Sequence, residues 1–294
     1  MNSAFKVYLS IILSMSFWGF SFVWSSIALR TLEPFTVVLT RLLISVPLLF
    51  VMAVFLKKLQ KIDRKDYLSI LILAGFQPLL YFIGESYGIN ESSATVSSVI
   101  IATIPLFVPF AAWIFLKEKI SLMNFAGIIV SVAGVLVISL EKSFSANLFG
   151  ILMLFLAVAA AVGYSIRVKK LTEKYNPLTL ISYQNLTGIF LFLPFFLITD
   201  LNTVNVTDYT SDTITSLLLL SVFASSAAFV LFIYSIKHLG VIKTGAFSNA
   251  IPVMTAIIAW IVLDEELTIQ KSIGILIVIS GLFLSQVKFR KNGI

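Results

Sequence analysis

The sequence predicts an all-α integral membrane protein of ten transmembrane helices, arranged as two inverted five-helix repeats with both termini in the cytoplasm. Three observations carry this. Of the 294 residues, 59% are hydrophobic and only 12% charged, and the mean hydropathy is +1.03. Soluble chains run at about 45–50% apolar and about 25% charged, so too few ionised groups remain to cover a water-facing surface. The basic residues fall on alternate connections between apolar runs. The second half of the chain repeats features of the first. This composition excludes a soluble enzyme and a disordered chain. Zero Cys removes disulfides and thiolate metal sites.

A bilayer core about 30 Å thick needs about 20 mostly apolar residues per helix. The runs that meet this are 7–29, 35–56, 67–90, 92–116, 120–140, 143–166, 175–199, 213–236, 244–263 and 267–287. The first is too long for a signal-peptide core, and no small-residue cleavage site follows it, so it reads as an uncleaved span. The second opens on Pro34 and the seventh on Pro177, at first-turn positions where the missing N–H costs nothing. Three runs hold one ionisable residue each: Arg41 in the second, Glu85 in the third and Lys271 near the start of the tenth. The longest connections, 57–66 and 200–212, leave no room for a soluble domain.

Lys and Arg set orientation, because they accumulate on the cytoplasmic side. With the N-terminus inside, seventeen of the 21 basic residues are cytoplasmic. Arg30, Lys142 and Lys271 lie outside, and Arg41 lies within a span. The net charge of +7 therefore follows from membrane topology, and no nucleic-acid partner is implied.

Residues 87–140 align without a gap on 234–287. This register pairs Pro105 with Pro252, Trp113 with Trp260, Glu118 with Glu265, Gly127 with Gly274 and Gly134 with Gly281. Hydrophobic chance supplies Ile and Leu matches, but rarely Pro, Trp, Glu and two Gly together. The front halves match at a slightly smaller offset, Pro34-Phe35-Thr36 against Pro177-Leu178-Thr179, with Arg41 answering Gln184. The repeats are 1–142 and 143–294. Five spans is an odd number, so the second copy enters from the opposite side, the plan of many secondary transporters.

The string Pro105…Leu116-Lys117-Glu118-Lys119-Ile120-Ser121…Gly127…Gly134 and its copy Pro252…Leu263-Asp264-Glu265-Glu266-Leu267-Thr268…Gly274…Gly281 resembles the EamA-type repeat of the drug/metabolite transporter superfamily. Trp18-Gly19 in the first helix fits as well. The resemblance covers nearly the whole chain. It implies a ten-helix carrier of the bacterial inner membrane, exporting amino acids or related small metabolites. Where members often carry Gly before the loop Glu, this chain has Lys117 and Asp264.

Polar side chains inside spans usually face protein or a water-filled path. Gln77, Tyr81 and Glu85 fall at i, i+4 and i+8, on one helix face. Either they bind substrate or they join helices by hydrogen bonds. Glu85 either pairs with Arg41 or faces the substrate path, where a proton is the candidate coupling ion. Ser14, Trp18, Ser21 and Ser25 form a stripe on the first helix, whose hydroxyls can bond back to their own backbone. Thr95 and Ser98 precede Pro105, and Ser248 and Asn249 precede Pro252. A mid-helix Pro frees the carbonyl four residues earlier, here Ile101 and Ser248, so paired prolines point to a central site. The candidate substrate contacts are Trp18, Gln77, Tyr81, Glu85, Ser98, Tyr164 and Asn249. Arg41, Pro105 and Pro252 are structural or gating candidates. Gln184 and Asn185 read as packing, as do Gly127, Ser131, Gly134, Gly274 and Gly281. Trp113 and Trp260 read as interfacial anchors, and Ser121 and Thr268 as helix N-caps.

No G-x-x-x-x-G-K-[ST] or H-E-x-x-H occurs, and His238 is the only His. The expectation is a secondary carrier that is not an enzyme, uses no cofactor or metal, sits in lipid as a monomer or homodimer, and moves a small molecule by alternating access. Multidrug efflux, an uptake permease and a non-transporting membrane scaffold are the rival readings.

Overall fold

The computed structural model describes residues 3–116, 122–139, 148–240, 244 and 247–286, and among these the only regular elements are helices. They are α1 Ser3–Ala28, α2 Pro34–Phe55, α3 Tyr67–Ala74, α4 Tyr81–Asn90, α5 Ala94–Ile101, α6 Ile104–Leu116, α7 Leu122–Ser139, α8 Leu148–Thr172, α9 Pro177–Thr199, α10 Ser211–Leu219, α11 Phe229–Leu239, α12 Ala250–Leu263 and α13 Ile269–Gln286. Six described stretches are long and apolar enough to cross a bilayer: Phe5–Ala28, Pro34–Phe55, Arg64–Asn90, Leu148–Thr172, Pro177–Thr199 and Ser211–Leu239. Shorter apolar helices lie at Ala94–Val108, Phe125–Val137, Ala250–Leu263 and Ile269–Gly281. The outer surface carries large apolar side chains in the open, among them Phe55, Ile198 and Ile269. A water-facing monomer could not sustain so much exposed apolar surface. This is a multi-pass membrane protein.

Several of these rods are interrupted. The third continues from α3 to α4 through a π-helical turn, Gly75–Leu80, in which Gln77 has non-helical dihedrals (φ −146, ψ 117) ahead of Pro78. The eighth passes from α10 to α11 through a second π-helical segment, Leu220–Ala228. The fourth expected span divides at Ala102–Thr103, where Thr103 Oγ1 donates to the Ile100 carbonyl (2.6 Å). A 3-10 turn, Phe247–Asn249, precedes α12. Pro105 is therefore the second residue of α6 and Pro252 the third of α12. Both prolines start helices, where a missing N–H is harmless, and neither bends the middle of one.

Small residues let the helices approach. α7 packs along α13, and a Cβ on Gly134 would stand 2.7 Å from the Val278 nitrogen and 2.9 Å from the Gly274 carbonyl oxygen. A Cβ on Gly281 would stand 2.4 Å from Ser131 Oγ and 2.7 Å from the Gly127 carbonyl oxygen. Ser131 Oγ donates to the Val278 carbonyl oxygen (3.0 Å), a partner 147 residues away. Small-residue seams of this kind replace hydrophobic driving force inside lipid.

Polar clamps tie the ends together. At one end Asp200 receives Thr36 N (2.8 Å) and Thr36 Oγ1 (2.9 Å), capping α2, whose own N-cap residue Glu33 makes no side-chain cap. At the end of α2, Thr179 Oγ1 donates to the Lys58 carbonyl (2.7 Å) and accepts from Gln60 N (3.1 Å). There too Lys174 bridges Asp63 and Asp66, and Tyr175 OH donates to Asp66 Oδ2 (2.6 Å). Glu265 Oε1 accepts from Ala94 N (3.0 Å) at the start of α5. Thr268 Oγ1 accepts from Lys271 N (3.2 Å), the N-cap expected of it. Trp260 is exposed, as an interfacial anchor would be. Ser121, Glu118 and the side chain of Trp113 lie outside the described residues.

Candidate functional site

The two charges buried within the spans meet. Arg41 on α2 and Glu85 on α4 face each other, Nη1 to Oε2, at 3.8 Å, with side chains 3% and 6% exposed. Tyr81 OH donates to Glu85 Oε1 at 2.9 Å. Arg41 Nε donates to Ser225 Oγ at 2.8 Å, and its guanidinium carbon lies 4.2 Å from the Phe82 ring centroid. Burying either ion alone would be costly, so each has a counter-charge and further polar or aromatic support. At 3.8 Å the pair attracts but is too long for a direct hydrogen bond.

Ser225 sits in the π-helical segment that links α10 to α11. Such a turn widens the backbone ring and frees carbonyls from the regular ladder. The Ser225 carbonyl accepts from Asn185 Nδ2 (3.2 Å), which also reaches Ser45 Oγ (3.2 Å). Ser14 Oγ on α1 donates to the carbonyl of Ala228, at the end of the same segment (2.9 Å).

An aromatic cluster continues from Phe82. Phe229 lies edge-on to Phe82 (6.5 Å between centroids), to Tyr164 (6.5 Å) and to Trp18 (5.1 Å). Trp18 is half-buried and also meets Phe232 at 4.8 Å. Tyr164 and Gln184 are 1% exposed. The Tyr164 hydroxyl lies near the Gln184 amide but outside hydrogen-bonding geometry.

The structure thus joins Trp18, Tyr81, Glu85, Arg41 and Tyr164 through one chain of contacts. Gln77 is buried, but its non-helical dihedrals take it out of the regular register. The i, i+4, i+8 face holds for Tyr81 and Glu85 and not for Gln77. Ser98 is buried and donates to the Thr95 carbonyl in its own helix (2.7 Å). Ser21 likewise bonds back to the Trp18 carbonyl (2.8 Å). The Asn249 side chain lies outside the described residues. Sequence reasoning missed Phe82 and Ser225. Phe82 adjoins the Tyr81–Glu85 face. Ser225 belongs to a small-residue stretch whose π turn nothing in the periodicity announces.

Residues 5–140 and again 148–286 match the EamA-like transporter family, together nearly the whole chain. The chain belongs to the EamA-like transporter family. Two uncharacterized transporters of Archaeoglobus fulgidus resemble this EamA-like transporter. One is 28% identical over 292 residues, 98% of this chain and 99% of that protein. The other is 30% identical over 285 residues, 95% and 98%. The uncharacterized transporter YetK of Bacillus subtilis is 26% identical over 290 residues, 96% and 87%. A solved crystal structure superposes with a TM-score of 0.70, covering 97% of each chain at 13% identity, and this likeness speaks to the fold alone.

Proposed function

We propose that this EamA-like transporter carries small zwitterionic metabolites, amino acids or related compounds, by alternating access between two inverted five-helix repeats, 1–142 and 143–294. Both termini are cytoplasmic in this reading, and export is the direction that the family resemblance implies. The observation that carries the reading is the Arg41–Glu85 pair. It offers both signs of charge, deep among the helices, at a separation too long for a bond of its own. An α-amino acid presents the complementary carboxylate and ammonium. Tyr81 orients Glu85, Ser225 orients Arg41, and Trp18, Phe82 and Phe229 supply apolar contact. Because Arg41 answers to the first repeat and Ser225 to the second, rocking one repeat against the other alters this site directly. Glu85 is the candidate proton carrier.

The closed packing around the pair favours a second reading, a membrane scaffold that moves nothing. Against it stand the unpartnered polar atoms buried beside the cluster, which a purely structural core avoids. Multidrug efflux and uptake share the fold and differ in substrate and direction. The test is counterflow in liposomes holding the purified full chain, with labelled amino acids, drugs and nucleosides offered in turn. Exchange of a zwitterionic amino acid supports the reading, exchange of drugs alone moves it to multidrug efflux, and no exchange under any ion gradient overturns transport.

A further inference from the structure

Buried polar groups are almost always hydrogen-bonded, and an exception calls for a reason. Among the described residues, Gln184 leaves both side-chain atoms, Nε2 and Oε1, buried and unpartnered, and the Tyr164 hydroxyl beside it is unpartnered too. A small rotation joining the two would not resolve this. Gln offers two donors and two acceptor sites, so a single bond to Tyr164 leaves at least one donor and one acceptor unused. The two side chains come from different helices, α9 and α8, and both are 1% exposed.

Their position is not arbitrary. Gln184 follows Pro177 as Arg41 follows Pro34. The contacts of the two helices are reciprocal as well: Asn185 bonds Ser45, while Leu42 reaches Gly188. Ser45 answers to Gly188 and Leu42 to Asn185 at the same offset. A two-fold relation makes such paired contacts. Gln184 is therefore the neutral counterpart of Arg41 across the centre of the molecule. The path between them is continuous: Tyr164 to Phe229, Phe229 to Phe82, and Phe82 to the Arg41 guanidinium.

We infer that Gln184 and Tyr164 form a second, neutral subsite that takes a carboxamide or hydroxyl on the substrate's side chain. The inference rests on the proposal that Arg41 and Glu85 take the zwitterionic head. The charged end then fixes the class of substrate and the neutral end selects among its members. A group with both a donor and an acceptor satisfies Gln184 and Tyr164 together, whereas an aliphatic tail strands them. Sites built to hydrogen-bond a substrate reject analogues that lack the group far more strongly than apolar pockets reject an extra one.

The experiment is competition counterflow with the purified full chain in liposomes, using near-isosteric pairs: glutamine against norleucine, and threonine against valine. The readout is the ratio of half-inhibitory concentrations within each pair, which loss of folded protein does not move. Wild type is expected to favour the polar member of at least one pair by about tenfold or more, the scale of one buried hydrogen-bonding set. Gln184→Met should bring that ratio to within about threefold, and Tyr164→Phe, which keeps the ring, should lower it part of the way. Ser280→Ala, on the exposed face of α13, should leave it unchanged. Equal affinity within both pairs in wild type overturns the inference while leaving the zwitterion reading intact. So does a Gln184→Met ratio equal to wild type. Failure of every amino acid to compete overturns the zwitterion reading itself, and the inference with it.

Discussion

A guanidinium and a carboxylate buried in a helix bundle are worth less together than the Coulomb attraction suggests, and cost much more apart. For Arg41 and Glu85 this yields a specific expectation. Arg41→Met should lower stability by about 3–5 kcal/mol, because Glu85 is left without its counter-charge. Arg41→Met combined with Glu85→Met should recover most of that, because no uncompensated ion remains. Melting temperatures of the three variants in detergent check the order, and a double variant as unstable as the single would refute it. Glu85→Gln separates function from folding more cleanly, since it keeps shape and hydrogen-bonding capacity. It should slow counterflow and flatten its dependence on pH, and an unchanged rate and pH profile removes Glu85 from the mechanism. The pairing was one of two readings open in the sequence, because two ionised residues in otherwise charge-free runs need either each other or a polar path. Gln184 gave no such signal: a neutral amide in an apolar run looks the same whether it joins helices or awaits a ligand.

At the scale of elements, apolar runs and their bounding charges located the helices well. What they missed was interruption. The turn at Gln77 stands just before Pro78, which pushes the preceding residue out of the helical region, and the widened segment at Leu220–Ala228 leaves no mark in a hydropathy pattern. The matched prolines both begin helices, so neither frees a carbonyl in the middle of one. The α7–α13 seam gives a sharp test. Gly134→Leu places its branch where Val278 and Gly274 backbone already stands, so the cost should exceed the roughly 1–3 kcal/mol of ordinary overpacking. A melting curve unchanged by the substitution would contradict the seam. The clamp at Asp63, Asp66, Lys174 and Tyr175 gives another. Hydrogen bonds from Lys174 and Tyr175 hold the Asp66 carboxyl below its ordinary value, and those from Lys174 to Asp63 and Asp66 hold its amine above. A depressed carboxyl stabilises above its unfolded value and loses that contribution as pH falls through the depressed one. A raised amine stabilises below its unfolded value and loses that contribution as pH rises through the raised one. The clamp should therefore hold between about pH 4 and pH 10. Asp66→Asn should therefore lower the melting temperature within that range and have progressively less effect as pH falls below it, and an equal effect at every pH would contradict the clamp.

At the scale of the whole molecule, the proposed topology makes two loops related by the repeat face opposite compartments. The chain has no native Cys, so single-Cys variants report without background. Lys61→Cys should react with a membrane-impermeant reagent only from the cytoplasmic side, and Asn202→Cys only from the other. Reaction of both from one side would overturn the inverted arrangement. The fold class was legible here from scarcity of charge alone, since only a chain surrounded by lipid can leave so much of its length unionised. The proposed orientation rests on the positions of the charges, and the two Cys variants test it.

The contact of Ser131 with Val278 joins two places that hold the same rank in their respective halves, and the Gly134–Gly274 and Gly281–Gly127 approaches are mirror statements of one fit. A surface that fits its own counterpart needs no second, separately invented surface. Half of this chain already carries the template for closing the seam, provided that two such halves enter the membrane facing opposite ways. Joining them in a single polypeptide fixes their one-to-one ratio and, in the proposed topology, their opposed insertion. It also frees the two copies to diverge, so that an arginine could persist on one side of the centre while a glutamine took its place on the other.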